Sequence, residues 1–181
     1  SIGASGLKTD GAPVDIISPD VVIDGSLETG SGDVSITTGT SGGEIDPNPE
    51  AATSISGLAT SRAERGPSRI VVSSGAIING GVIRLVALTP DALISSQGVV
   101  GASRFNLSSD GKVQLSGQVT ASGAINVTGG HVSLGGSAPV KVASSESGVR
   151  IRAKAGDVQI ANSELSAVSR STSDFSALGG V

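Results

Sequence analysis

The chain has 181 residues, with 12 Lys+Arg against 16 Asp+Glu and a net charge of −4 at pH 7, enough for one domain and too acidic for the footprint of a nucleic-acid binder. Two Phe without Trp or Tyr leave no aromatic platform for bases or sugars; the lack of Cys removes disulfides, thiolate zinc sites and cysteine nucleophiles, and a single His removes a multi-histidine metal site. At 37% hydrophobic residues the chain is too apolar for a disordered polymer despite 27 Gly.

The N-terminal Ser1-Ile2-Gly3-Ala4-Ser5-Gly6 has no Met and no charged-then-apolar leader layout, so it reads as a mature or excised piece of a longer product. No stretch approaches the roughly 18–20 apolar residues of a membrane span, and no membrane insertion is expected. The first apolar runs, Val14-Asp-Ile16-Ile17, Val21-Val22-Ile23 and Val34-Ser-Ile36, predict one or two rungs, with Val34 lying 20 residues after Val14. Regularity then breaks over residues 40–69. Asp46-Pro47-Asn48-Pro49 cannot lie in a central strand, and the length suits a functional excursion. Ile45, Ile55 and Leu58 are candidates for a small hairpin packed on the flank.

Beyond the break, short apolar–polar–apolar runs recur at Ile83-Arg-Leu85, Phe105-Asn-Leu107, Val113-Gln-Leu115, Ile125-Asn-Val127, Val132-Ser-Leu134, Val140-Lys-Val142, Val149-Arg-Ile151 and Val158-Gln-Ile160. This is the period-2 pattern of a half-buried strand. Many runs follow a glycine by two residues (Gly32, Gly81, Gly111, Gly123, Gly130, Gly156), which suits corners with positive φ. Residues 163–181 keep Leu165, Val168, Phe175 and Leu178 and form either a last rung or a fraying end. No window carries a helical stripe.

The runs fall on longer ladders. Val71, Leu93, Val113, Val132 and Ile151 are separated by 22, 20, 19 and 19 residues; Ile83, Phe105 and Ile125 by 22 and 20; Ile77, Val99 and Val119 again by 22 and 20. Three strands per repeat of about 20 residues is the arithmetic of a parallel β-solenoid whose turns advance by about 4.8 Å. The expected fold is therefore all-β: a right-handed parallel β-helix of seven or eight turns, forming one domain over 1–181 with the extrahelical insertion at 40–69.

Two segments carry a family likeness. Val14–Gly39 has two apolar strands, a short residue, Gly, then a strand ending in Thr-Gly; Gly80-Gly-Val-Ile-Arg-Leu-Val86 is followed by Ser96-Gln-Gly98 and Leu107-Ser-Ser-Asp-Gly-Lys112. Over residues 7–165 the chain resembles the late secretion domain and β-helical shaft of filamentous-haemagglutinin-like adhesins, which leave the cell by two-partner secretion. That family's opening Asn-Pro-Asn motif is not found; Pro47-Asn48-Pro49 reads as turn chemistry. The resemblance implies a non-enzymatic adhesive rod, secreted or on the bacterial cell surface, without cofactor. Its implied partners are an outer-membrane two-partner-secretion transporter and host-cell or matrix glycans or proteins. A solenoid without capping helices also suggests end-to-end self-association. The alternatives are a polysaccharide-active β-helix enzyme and a self-polymerising extracellular fibre subunit.

Candidate sites are few. His131 reads as an exposed strand-start residue rather than a member of a catalytic triad. Asp15, Asp20, Asp24 and Asp33 are close in sequence, and a pair of them at the right separation would serve glycosidic acid–base chemistry or bind a hard cation; solvated corner positions are the plainer reading. Arg84, Arg104, Arg150 and Arg152, with Lys112, Lys141 and Lys154, occupy outward positions and suggest a basic surface stripe for sulfated glycans or anionic surfaces, or charges that block sideways strand pairing. Asn106-Leu-Ser108 and Asn126-Val-Thr128 match the glycosylation acceptor pattern.

Overall fold

The computed structural model describes residues 1–39, 68–137 and 139–167, together with the backbone of 174–177. It is all-β, with parallel strands stacked as a β-solenoid of about 6 turns and no helix among the described residues. Nearly all of the expected excursion at 40–69 lies outside the described residues; only Ser68 and Arg69 fall within them.

Each coil lays one strand on each of three faces. Face I holds β3 (Asp20–Ile23), β6 (Arg69–Val72), β8 (Leu93–Ser96), β10 (Lys112–Leu115), β13 (His131–Leu134) and β16 (Val158–Ile160). Face II holds β1 (Leu7–Lys8), β4 (Ser26–Glu28), the first parts of β7 (Ile77–Ala87) and β9 (Val99–Ser109), then β11 (Gln118–Ala121), β14 (Val140–Ser144) and β17 (Ser163–Ala167). Face III holds β2 (Val14–Ile17), β5 (Val34–Thr38), the second parts of β7 and β9, then β12 (Ile125–Gly129), β15 (Val149–Ala153) and β18 (Asp174–Ala177). β7 and β9 run through the bend between faces II and III.

The period-2 runs fold this way because alternate side chains meet inside the coil while the rest face water; β5, β12 and β15 alternate buried and less buried residues along their whole length. The column Ile83, Phe105 and Ile125 is a true register, continued by Val14 and Val34 on one side and Val149 on the other. Steps of 22 and 20 residues up to Ile125 lengthen to 24 before Val149. Longer coils, together with the chain used by residues 40–67, give fewer turns than the expected seven or eight.

The other two ladders need correction. Val113 and Val132 are partners, but Val113 pairs with Ile94, and Ile94 with Ile70. Val71 pairs with Ser95, and Leu93 with Arg69 and Lys112, so both face outward from face I. Ile151 belongs to face III, paired with Val127. Likewise Ile77 pairs with Val99, but Val119 pairs with Val100. Ile77 and Val99 remain 39% and 40% exposed, while Ile78, Val100, Val119 and Val142 form the buried column. In β6 three apolar residues, Ile70, Val71 and Val72, stand in succession, so hydropathy alone does not say which one points inward.

Corner glycines are required by close approach rather than by positive φ. None of Gly32, Gly81, Gly111, Gly123, Gly130 and Gly156 has φ in the left-handed region; Gly6, Gly11, Gly30, Gly39 and Gly135 do. A Cβ on Gly111 would run into the backbone oxygen and nitrogen of Ala92 one coil away, and one on Gly130 would lie 2.5 Å from the Asp110 carbonyl oxygen. At these corners successive coils touch backbone to backbone. Small hydroxyl residues close other bends: Thr29 Oγ1 donates to the Gly32 carbonyl at 2.5 Å, and Ser144 Oγ donates to that of Gly123 at 2.9 Å.

Candidate functional site

Gly39 and Ser68, the described residues on either side of segment 40–67, lie at the corner between faces III and I. Thr38 ends β5 and is fully buried; Gly39 follows with φ +74°. A Cβ on Gly39 would lie 2.5 Å from Ser68 Oγ and 2.9 Å from Thr89 Cγ2. Gly39 and Ser68, which flank the segment 40–67, therefore lie side by side. The ladder closes across them: Leu88 N–H donates to the Thr38 carbonyl at 3.1 Å, Arg69 N–H to that of Pro19 at 3.1 Å, and Leu93 N–H to that of Ser68 at 3.0 Å.

The four early aspartates do not form a cluster. Asp15 lies on β2 of face III and Asp20 on β3 of face I, while Asp24 and Asp33 occupy corners. Three of them grip the coil that holds Arg69, Ser73 and Val82. Asp20 accepts from Arg69 Nε at 3.1 Å and Nη2 at 3.0 Å, Asp24 accepts from the Ser73 hydroxyl, and Asp33 Oδ1 accepts from the Val82 backbone N–H at 2.8 Å. Among the described residues no group of three His, Asp or Glu side chains is arranged to hold a metal ion. Arg69 is thus a functional member of the ladder, although the sequence reading assigned it to the excursion. The signal was present: Asp20-Val-Val-Ile23 and Arg69-Ile-Val-Val72 are matching four-residue runs with opposite charges at their first positions.

The hydrogen bond to the Arg69 guanidinium holds the Asp20 carboxyl below its ordinary pKa, outweighing the opposing effect of desolvation. A depressed folded-state value means that the pair stabilises the fold above the unfolded pKa, near 4, and that this contribution disappears as pH falls through the folded value. Asp20→Asn is therefore expected to be less stable than the parent at pH 7, with the gap closing towards about pH 2. Both side chains are about half exposed, so the gap is small. Urea melts of the two proteins at both pH values check this; a gap that widens on acidification would contradict it.

The candidate basic residues do not line up as one stripe. Arg84 and Arg150 share a column of face III, but Asn106 and Asn126 stand between them, the Asn126 amide donating to Asn106 Oδ1 at 3.0 Å. Arg104 pairs with Val82 at the start of the face, and Arg152 lies in the neighbouring outward column beside Thr128. Lys141 and Lys154 form ion pairs with Glu164 at 4.0 Å and Asp110 at 2.8 Å. The two glycosylation-type asparagines are register partners in the middle of this face.

A shallow groove of about 360 Å³ runs over face I, lined by Lys112, Gln114, His131, Ser133, Asp157 and Gln159 with the edges of Val113 and Val132. His131 is exposed at the first position of β13, and its ring occupies the space that a Cβ on Gly156 would need. Neither a serine nor an aspartate is hydrogen-bonded to it among the described residues.

No protein-family model matches the chain, and neither do the curated proteins or the solved structures. The β-solenoid is the level at which the chain is placed.

Proposed function

We propose that the chain is a structural, adhesive segment of a secreted bacterial surface protein of the filamentous-haemagglutinin kind. In this reading the solenoid is a rod whose outward faces, with the segment 40–67, serve contact with host-cell or matrix glycans or proteins. An outer-membrane two-partner-secretion transporter exports the chain unfolded, and a protein without Cys has no disulfide to obstruct that passage.

The observation that carries the proposal is the corner at which Gly39 and Ser68 meet. These two residues, on either side of the 28-residue segment 40–67, lie side by side, and the flanking strands pair as though the segment were absent. Thr38 ends β5 opposite Ala87 of β7, and β3 pairs directly with β6. Asp20, Asp24 and Asp33 are committed to bonds across that junction, which favours the rod over an enzyme built on paired carboxylates.

Two proteins test the proposal: the full chain, and a variant in which residues 40–67 are replaced by a short Gly-Ser linker. The variant is expected to keep the strand-type circular dichroism spectrum and a cooperative melt, because the ends it joins already touch. The full chain is expected to bind epithelial cells or matrix-coated surfaces at least about tenfold better than the variant, a difference of about 1.4 kcal/mol. Equal binding by the two proteins would remove the display role. Failure of the full chain to bind above a charge-matched control would remove the adhesive reading altogether.

A further inference from the structure

We propose that copies of the chain stack end to end, the last coil of one solenoid seating on the first coil of the next. The inference does not depend on the secretion or adhesion reading; it rests on the strand edges at the two ends of the described stack. Among the described strands, β1 and β2 pair on one side only, with β4 and β5. At the other end β16, β17 and β18 also pair on one side only, with β13, β14 and β15. Each end coil therefore presents backbone N–H and C=O groups without ladder partners from the described strands, the condition that favours strand addition.

The hydrophobic interior is open at the same two places. Leu7 begins the inward column that continues through Leu27, Ile78 and Val100, and Ile160 ends the one that holds Leu115 and Leu134. Those five partners are at most 1% exposed, whereas Leu7 and Ile160 are 40% and 44% exposed. Ile2, Val14 and Ile16 in the first coil, with Val158 and Leu165 in the last, are only partly buried against the core. Inward positions that stay this open are missing a coil on one side, and covering them removes apolar surface from water.

A second copy is the occupant that fits, because the two ends are in phase. The first coil passes through faces I, II and III as Ile2, β1 and β2, and the last as β16, β17 and β18. β18 lies on face III, and the next position in the winding is face I, where the other copy's Ile2 enters. Strands remain parallel across the joint. Ile160 meets the other copy's Ile2 and Leu165 meets the other copy's Leu7, so both inward columns run on from copy to copy. Such a head-to-tail contact leaves a free end on each side and grows into a filament instead of closing. One column opposes it. On face III Asp174 holds the register position next to Arg150, and the other copy's Asp15 follows, two carboxylates in succession. The joint is therefore weak, and salt strengthens it by screening that repulsion.

Sedimentation velocity of the full chain, from about 10 µM to about 1 mM, is expected to show species that grow beyond the dimer with concentration. Negative-stain microscopy is expected to show rods in multiples of about 34 Å, roughly seven coil steps. Leu7→Asp spoils the first coil and Leu165→Asp the last, and each alone is expected to weaken association by about tenfold or more. In an equimolar mixture the intact last coil of the Leu7 variant meets the intact first coil of the Leu165 variant, so growth stops at the dimer. Asp15→Lys changes an exposed residue, removes the like-charge meeting and is expected to tighten association by about threefold or more. Circular dichroism of each variant confirms that it folds. An Asp15→Lys chain that associates no more tightly than the parent, a parent that stops at a closed dimer, or a mixture of the two leucine variants that grows beyond the dimer would each overturn the proposal.

Discussion

Phe105→Ala is expected to cost about 3–5 kcal/mol of folding stability. Phe105 is fully buried and the largest buried side chain among the described residues, with Ile83 and Ile125 as its register partners on either side. The interior of a solenoid is narrow, and removing a ring from a continuous column leaves a void that neighbours held in register on two adjacent coils cannot close. Domains of this size hold about 5–15 kcal/mol in total, so the variant is expected to be marginal at room temperature. Phe105→Leu keeps most of the volume and is expected to lose under about 1.5 kcal/mol. Urea melts check both values. A loss below 1 kcal/mol for the alanine variant would mean that the ring is not inside the coil.

The second large effect separates neighbouring residues. Ile94→Asp places a carboxylate in the column between Ile70 and Val113, where every neighbour is apolar and fully or nearly fully buried. An unpaired buried charge of this kind is expected to cost several kcal/mol and to leave little folded protein at neutral pH. Leu93→Asp alters the adjacent residue, which points out of face I beside Arg69 and Lys112. It is expected to change stability by less than about 1 kcal/mol and gains two cationic neighbours. Circular dichroism and urea melts of the pair distinguish the two sides of the strand. Equal damage from both, or greater damage from Leu93→Asp, would show that the register is wrong by one residue.

That one-residue distinction marks how far the sequence could be read. Strand character was legible in runs such as Val149-Arg-Ile151, because a charged residue between two aliphatic ones has only one compatible side of the coil. The column of Ile83, Phe105 and Ile125 was legible for the same reason, each being followed by a polar residue and a second aliphatic one. Where several apolar residues stand together, as in Ile70-Val-Val72 and Leu93-Ile94, spacing supplied the period but not its phase, and Val71 and Leu93 were placed inside when they lie outside. A β-strand has only two faces, so a slip by one residue inverts the assignment completely.

The candidate site was less legible because it is made by coils far apart in sequence. Asp20 meets Arg69, Asp24 meets Ser73 and Asp33 meets Val82, each pair 49 residues apart in the chain and adjacent in the stack. Nothing in the spacing of four nearby aspartates reveals that three of them reach across an insertion. The corner glycines tell a similar story. Their positions follow from the sequence, but the reason for them, contact with backbone such as that of Ala92 or Asp110 in the preceding coil, appears only when the coils are stacked.

The stacking itself is tested most directly by distances between spin labels along one outward column. The chain has no Cys, so introduced cysteines are the only labelled positions. On face II, Lys8, Glu28, Asn79, Gly101, Thr120, Ala143 and Ser166 follow one another through successive registers. Lys8→Cys combined with Thr120→Cys spans four steps, and combined with Ser166→Cys six. At about 4.8 Å per step, pulsed dipolar spectroscopy is expected to give mean separations near 19 and 29 Å. Two equal distances, or a shorter one for the pair more distant in sequence, would mean that the coils do not stack in this order.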